Sequence, residues 1–85
     1  MAQITYEWLF GYLRRLGFEE SSQSDFERVF EHSERGTLLA FSMLDDAAED
    51  RPVRGADISS VEFRLHQEGL LSGRLADVPA RLSEI

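Results

Sequence analysis

His32 is the first residue to weigh, because imidazole is the side chain best matched to acid–base work near neutral pH, and this one stands where a strand pattern runs into a turn. It has no companion, and a structural role at the turn or strand edge is the simpler reading of it. His66, the other histidine, lies on a helical pattern, and the two have neither the i, i+4 spacing of a metal pair nor a cysteine to help them, so no metal site and no cofactor is expected. Ser21, Ser22 and Ser24 precede a strand with no adjacent base and no glycine elbow, which leaves a serine nucleophile without support. Asp45, Asp46, Glu49 and Asp50 have the oxygens for a hard cation, but not the alternating ligands, central glycine and terminal glutamate of a calcium loop. They read as a solvated acidic loop. Arg28, Arg51 and Arg54 are the candidate binding residues, and with Arg64 they would form a local basic face if the second helix packed across the sheet. Ion pairing with the abundant carboxylates is the simpler account of them.

These side chains must be positioned by a few short elements. From Thr5 to Leu16, Trp8, Leu9, Tyr12, Leu13 and Leu16 recur with a helical period, so a core-facing stripe is expected there. Thr5 has the chemistry of an N-cap, Glu7 lies in the first turn, Arg14 and Arg15 lie in the last, and Gly17 supplies a left-handed terminator. A polar stretch, 19–24, reads as a loop. Phe26 to His32 then alternates as a strand, with Phe26, Arg28 and Phe30 on one face and Glu27, Val29 and Glu31 on the other. Ser33 to Gly36 reads as a hairpin turn, and Thr37 to Leu44 as an apolar strand buried on both faces. The stretch from Asp45 through residues 51–55 reads as an exposed loop, with a short third strand as the other reading of its end. Asp57 to Glu68 is predicted as a second helix opened by a Ser59/Glu62 capping box and closed by Gly69, with 72–85 as a tail or short helix after Asp77 and Pro79.

The expected fold is therefore α+β: one small domain over 1–85, α-β-β-(β)-α, with a two- to three-stranded antiparallel sheet packed on two helices. Eighty-five residues with 42% hydrophobic side chains suffice for one core and are too apolar for disorder. Without cysteine there is no disulfide framework, and without a leader pattern or a long apolar run the expected address is cytoplasmic, with no membrane span. A net charge of −7, with arginine as the only strong base, repels phosphate, so nucleic acid is not the expected partner.

The runs Tyr12 to Phe18, Arg28 to Ser33 and Arg54 to Ile58 together resemble the HicA-like toxin family. The resemblance covers roughly residues 6–71. It implies a double-stranded-RNA-binding-domain-like fold, an mRNA interferase activity and a HicB-type antitoxin as protein partner. In active members of that family a Gly-Ser-His stretch carries the catalytic histidine. Matching the aromatic-x-His turn to Phe30 to His32 puts that position at Glu27, or at Arg28 after a one-residue slip. Neither is an imidazole. Glu27 and His32 are thus the only catalytic candidates the resemblance and the residues supply between them. The leading expectation is a non-enzymatic protein-interaction domain on a HicA-like scaffold; the alternative is a toxin-type mRNA interferase or RNA-binding domain of a toxin–antitoxin system. The sequence leaves the oligomeric state open.

Overall fold

In the computed structural model, which describes residues 4–23, 27–42 and 51–79, the elements run α1 (Tyr6–Arg15), β1 (Phe18–Gln23), β2 (Glu27–His32), β3 (Leu38–Ser42) and α2 (Gly55–Gln67), followed by a 3-10 turn at Leu75–Asp77. This is the α+β order expected, helix, antiparallel strands, helix. Two units make up the chain. One is Thr5–Arg51, and the other joins Met1–Ile4 to Pro52–Ile85.

In the first unit α1 begins as its sequence dictates. The Thr5 hydroxyl accepts a hydrogen bond from the Trp8 amide at 3.2 Å, Glu7 sits in the first turn and Arg14 and Arg15 in the last. Gly17 closes the helix with φ +104°, its amide donating to the Arg14 carbonyl at 3.1 Å. The buried stripe is Tyr6, Leu9, Phe10 and Leu13, whereas Trp8, Tyr12 and Leu16, expected in the core, are only half-buried. Trp8 and Tyr12, one helical turn apart, stack on each other instead, with centroids 5.1 Å apart.

The sheet has the order β1-β2-β3, antiparallel throughout. Its third strand is not where the sequence pointed. Residues 18–23, read as starting in a loop, are β1, paired from Phe18 opposite His32 to Gln23 opposite Arg28, with a bulge between Glu20 and Ser22. Residues 51–53 supply only bridge hydrogen bonds: within the first unit the Tyr6 amide donates to the Arg51 carbonyl at 3.1 Å, and within the second the Val53 amide donates to Ile4 at 2.8 Å. β3 is also different from its expectation, since Leu39 and Phe41 are buried but Leu38, Ala40 and Ser42 are exposed. An apolar run does not by itself say that both faces are covered.

Phe18, Phe30, Leu39 and Phe41 meet α1 on one side of the sheet. Phe10 is the hub, with ring centroids 4.8 Å from Phe30, 5.3 Å from Phe41 and 5.8 Å from Tyr6. Tilted and edge-on rings at these separations add to the area they bury.

In the second unit α2 starts at Gly55, earlier than the capping box predicted, and Arg54 at the N-cap position caps no helix amide with its side chain, which donates to the Asp57 carboxylate in the first turn instead. Glu62 is used elsewhere. Its carboxylate accepts from the Leu75 amide at 2.7 Å and so holds the 3-10 turn to the helix. The terminator is as expected: Gly69 has φ +72°, Leu70 donates to Leu65 and Gly69 to His66, the two hydrogen bonds of a Schellman motif. Among the described residues, Ile4, Val53, Val61, Leu65, Leu75 and Val78 are this unit's buried side chains.

Candidate functional site

His32 lies at the end of β2, 6% exposed, with its ring edge-on to Phe18. Both nitrogens are committed. Nδ1 faces the backbone amides of Glu34 and Arg35 at 3.1 and 3.2 Å, so it must be the acceptor, which puts the proton on Nε2 and makes Nε2 the donor to the Leu16 carbonyl at 2.9 Å. The imidazole therefore ties the hairpin turn to the C-terminus of α1. A ring whose two nitrogens are satisfied by backbone has neither a lone pair nor a free proton for a substrate. An open cavity of roughly 230 Å³ beside it is lined mainly by Glu19, Glu20, Glu31 and Ser33, all acidic or neutral.

Arg28 and Glu20 face α1 from the middle of β2 and β1, on the same side as Phe30. The Arg28 Nε donates to one oxygen of the Glu20 carboxylate and its Nη2 to the other at 3.1 Å, while Arg14 reaches the carboxylate at 3.4 Å from the helix. Each guanidinium also stands on a ring, Arg28 over Phe10 at 4.8 Å and Arg14 over Phe30 at 5.6 Å. The hydrogen bond from Arg28, helped by the charges of both arginines and opposed by desolvation, holds the Glu20 carboxyl below the usual carboxylate range. Arg28, proposed from the sequence as a binding residue, is only 9% exposed and bound to Glu20.

The outward side of the sheet is built otherwise. Glu19 and Glu31 stand opposite each other across β1 and β2, Glu31 is opposite Leu38 on β3, and the next outward pairs are Val29 with Ala40 and Glu27 with Ser42. Glu19, Glu27, Glu31, Leu38, Ala40 and Ser42 are all exposed, Leu38 by 54%. Glu27, the position matched to the family histidine, is thus on an open acidic and aliphatic surface, and His32 faces the opposite side. The two catalytic candidates do not meet. Of the remaining basic candidates, Arg51 is exposed in the first unit, and Arg54 belongs to the second, where it pairs with Asp57 at 3.3 Å. Ser21 spends its hydroxyl on the Val29 carbonyl at 3.5 Å. The loop 45–50, with Ser24 and Phe26, lies outside the described residues.

Sequence reasoning missed both the Glu20 ion network and the acidic face, because each depends on the register between β1 and β2. Among the described residues no group of three or more histidines and carboxylates is placed to hold a metal ion, and no helix is long and apolar enough to cross a membrane. Compared with protein-family models, with curated proteins and with solved structures, the chain has no match.

Proposed function

We propose that this chain is a non-enzymatic protein-interaction domain of the cytoplasm, built on a HicA-like scaffold and working through a protein partner of the HicB kind. One observation carries the reading: Glu27, which the resemblance matches to the catalytic histidine, lies on a surface it shares with Glu19 and Glu31, and Arg28, the match after a one-residue slip, is buried against Glu20. Carboxylates there repel the phosphates that a ribonuclease must gather, and they add no group able to stabilise the charge that develops on phosphate during cleavage. His32 offers no substitute, since its nitrogens serve the backbone. The order of elements, α-β-β-β-α, is compatible with the scaffold that the resemblance implies.

The test sets binding against cleavage. Purified full chain is incubated with labelled single-stranded RNA at low and high salt, and in parallel a tagged chain is recovered from its own cells and its complexes are sized by sedimentation. The expected result is intact RNA, no salt-sensitive RNA retention, and a stoichiometric complex with another protein. Metal-independent RNA cleavage that is lost on changing Glu27 or His32 would replace this reading with the mRNA interferase.

A further inference from the structure

We infer that the outward face of the sheet is the docking surface, and that its occupant is a segment of another protein carrying arginine or lysine on either side of an aliphatic side chain. The inference rests on the reading above and gives it a surface and a partner chemistry. Three features of the face lead there. Glu19 and Glu31 are directly opposed across β1 and β2. Like charges in that relation repel in the free chain, and a cation seated between them turns the repulsion into two attractions. Glu27 and Glu31 lie on the same strand and the same face, with Val29 between them. At about 3.3 Å per residue their Cα atoms are about 13 Å apart, the separation of basic residues at i and i+4 of an extended segment, whose residue i+2 would then fall on Val29. Finally, Leu38 is 54% exposed beside Glu31, and with Val29 and Ala40 it gives the carboxylates an aliphatic centre to surround. An apolar centre with a charged rim is the usual anatomy of a protein interface. A second copy of the chain would bring the same carboxylates to the face, and RNA would bring phosphate, so charge complementarity selects a cationic polypeptide over both.

The experiment titrates the isotopically labelled full chain with a twelve-residue peptide of repeated Arg-Ser-Val-Ser, which in extended form puts arginine and valine in turn on one face, using as control the same peptide with glutamate for arginine, and follows the backbone amides by NMR. Three variants accompany the parent: Glu19→Gln/Glu27→Gln/Glu31→Gln, Leu38→Ser, and a loop variant with Asp45, Asp46, Glu49 and Asp50 converted to amides. The expected outcome is movement of the Glu19, Val29, Glu31, Leu38 and Ala40 amides with the arginine peptide only. Kd should rise about tenfold or more in the triple glutamine variant, about threefold in Leu38→Ser, and less than about threefold in the loop variant, although the loop variant loses one charge more. Removing the opposed Glu19/Glu31 pair relieves a repulsion, and the melting of the triple variant is followed alongside its binding, so a lost fold is not taken for lost binding. The inference is overturned if the peptide does not bind, if the shifts lie off this face, if the loop variant weakens binding as much as the triple variant, or if the control peptide, an RNA oligonucleotide or self-association perturbs the same amides. A cellular protein partner retained equally by the triple variant would sink this surface and leave the protein-interaction reading standing; RNA cleavage would sink that reading itself.

Discussion

The two faces of the sheet use the same side-chain chemistry to opposite ends. Toward α1, the Glu20 carboxylate is met by two arginines, and both arginines stand on aromatic rings, so among the described residues these charges have partners and packed neighbours. Away from α1, Glu19 and Glu31 carry the same sign and are opposed across the strands, with Leu38 left in water beside them. The inward face is arranged for stability, because an ion held near low-dielectric surroundings needs its counter-ion there. The outward face gives up a little stability, an arrangement that makes sense for a surface completed by something else. If that contrast is correct, substitutions should fall into two groups: inward ones that change stability strongly, and outward ones that change it little.

The largest effect is expected at the hub of the inward face. Phe10 is fully buried against Phe30, Phe41 and Tyr6, so Phe10→Ala should cost about 3–5 kcal/mol through lost transfer energy and the cavity left behind. That is comparable to the whole stability of a small domain. Equilibrium denaturation checks it, and a midpoint close to that of the parent would remove Phe10 from the core.

Next comes the ion network. Glu20→Ala takes its carboxylate from the Arg28 guanidinium, which is 11% exposed in the intact pair, and should cost about 2–3 kcal/mol, less than for a fully buried pair because both partners keep some contact with water. Replacing both, Glu20→Leu with Arg28→Met, should recover most of the loss. The pair also sets a pH dependence. Because the folded-state pKa of Glu20 is lowered, chiefly by the hydrogen bond from Arg28, its contribution is fully present above the ordinary carboxylate range and is lost as pH falls through the lowered folded value. Stability measured from neutral to acidic pH should therefore decline less steeply in Glu20→Gln. An unchanged acid limb would mean that Glu20 is not held as described.

Gly17 and Gly36 allow a finer comparison on the inward side. Both have positive φ, +104° and +69°, so both substitutions are strained by backbone conformation. Only at Gly17 would a Cβ also meet a neighbour, 2.9 Å from Nε2 of His32, while at Gly36 there is open space. Gly17→Ala should cost about 2–3 kcal/mol and Gly36→Ala about 1 kcal/mol, and only the first should disturb the amides of Glu34 and Arg35 that His32 accepts from. Equal costs would mean that His32 is not packed on Gly17.

How much of this could be read before the structure depended on whether the determinants were local. The first helix was legible at both ends, because Thr5, Glu7, Arg14 and Gly17 act within one turn of where they stand, whereas its buried face is Tyr6, Leu9, Phe10 and Leu13 and not the stripe through Trp8, Tyr12 and Leu16. Gly69 was legible for the same reason. β1 was not, since Phe-Glu-Glu-Ser-Ser-Gln has little intrinsic preference for a strand; Phe18 opposite His32 and Glu20 bound to Arg28 stabilise it, and both relations are long-range. The Ser59/Glu62 spacing misled in the opposite way. It matched a capping box, while the Glu62 carboxylate is taken by Leu75, thirteen residues away in sequence. At the candidate site, the sequence suggested a structural His32 at the strand–turn junction but pointed to Arg28 as a binding residue, because alternation gives two faces without saying which one a helix will cover.

The smallest effect is expected on the outward face, and there the sign matters more than the size. Glu31→Lys places a lysine opposite Glu19 and beside Leu38 without disturbing any side chain on the α1 side. Reversing one member of an opposed like-charge pair should stabilise the fold by roughly 0.2–1 kcal/mol, seen as a slightly higher midpoint at low salt that returns toward the parent as salt screens the pair. Inward substitutions lower stability at every salt concentration, so the outward variant should be the only one of the set that gains. The same substitution takes a carboxylate from the proposed docking surface and adds a cation, and should therefore weaken the arginine peptide while strengthening the fold. A loss of both stability and binding would instead show that Glu31 serves the fold, and the distinction between the two faces would fail at the residue where it is most sharply drawn.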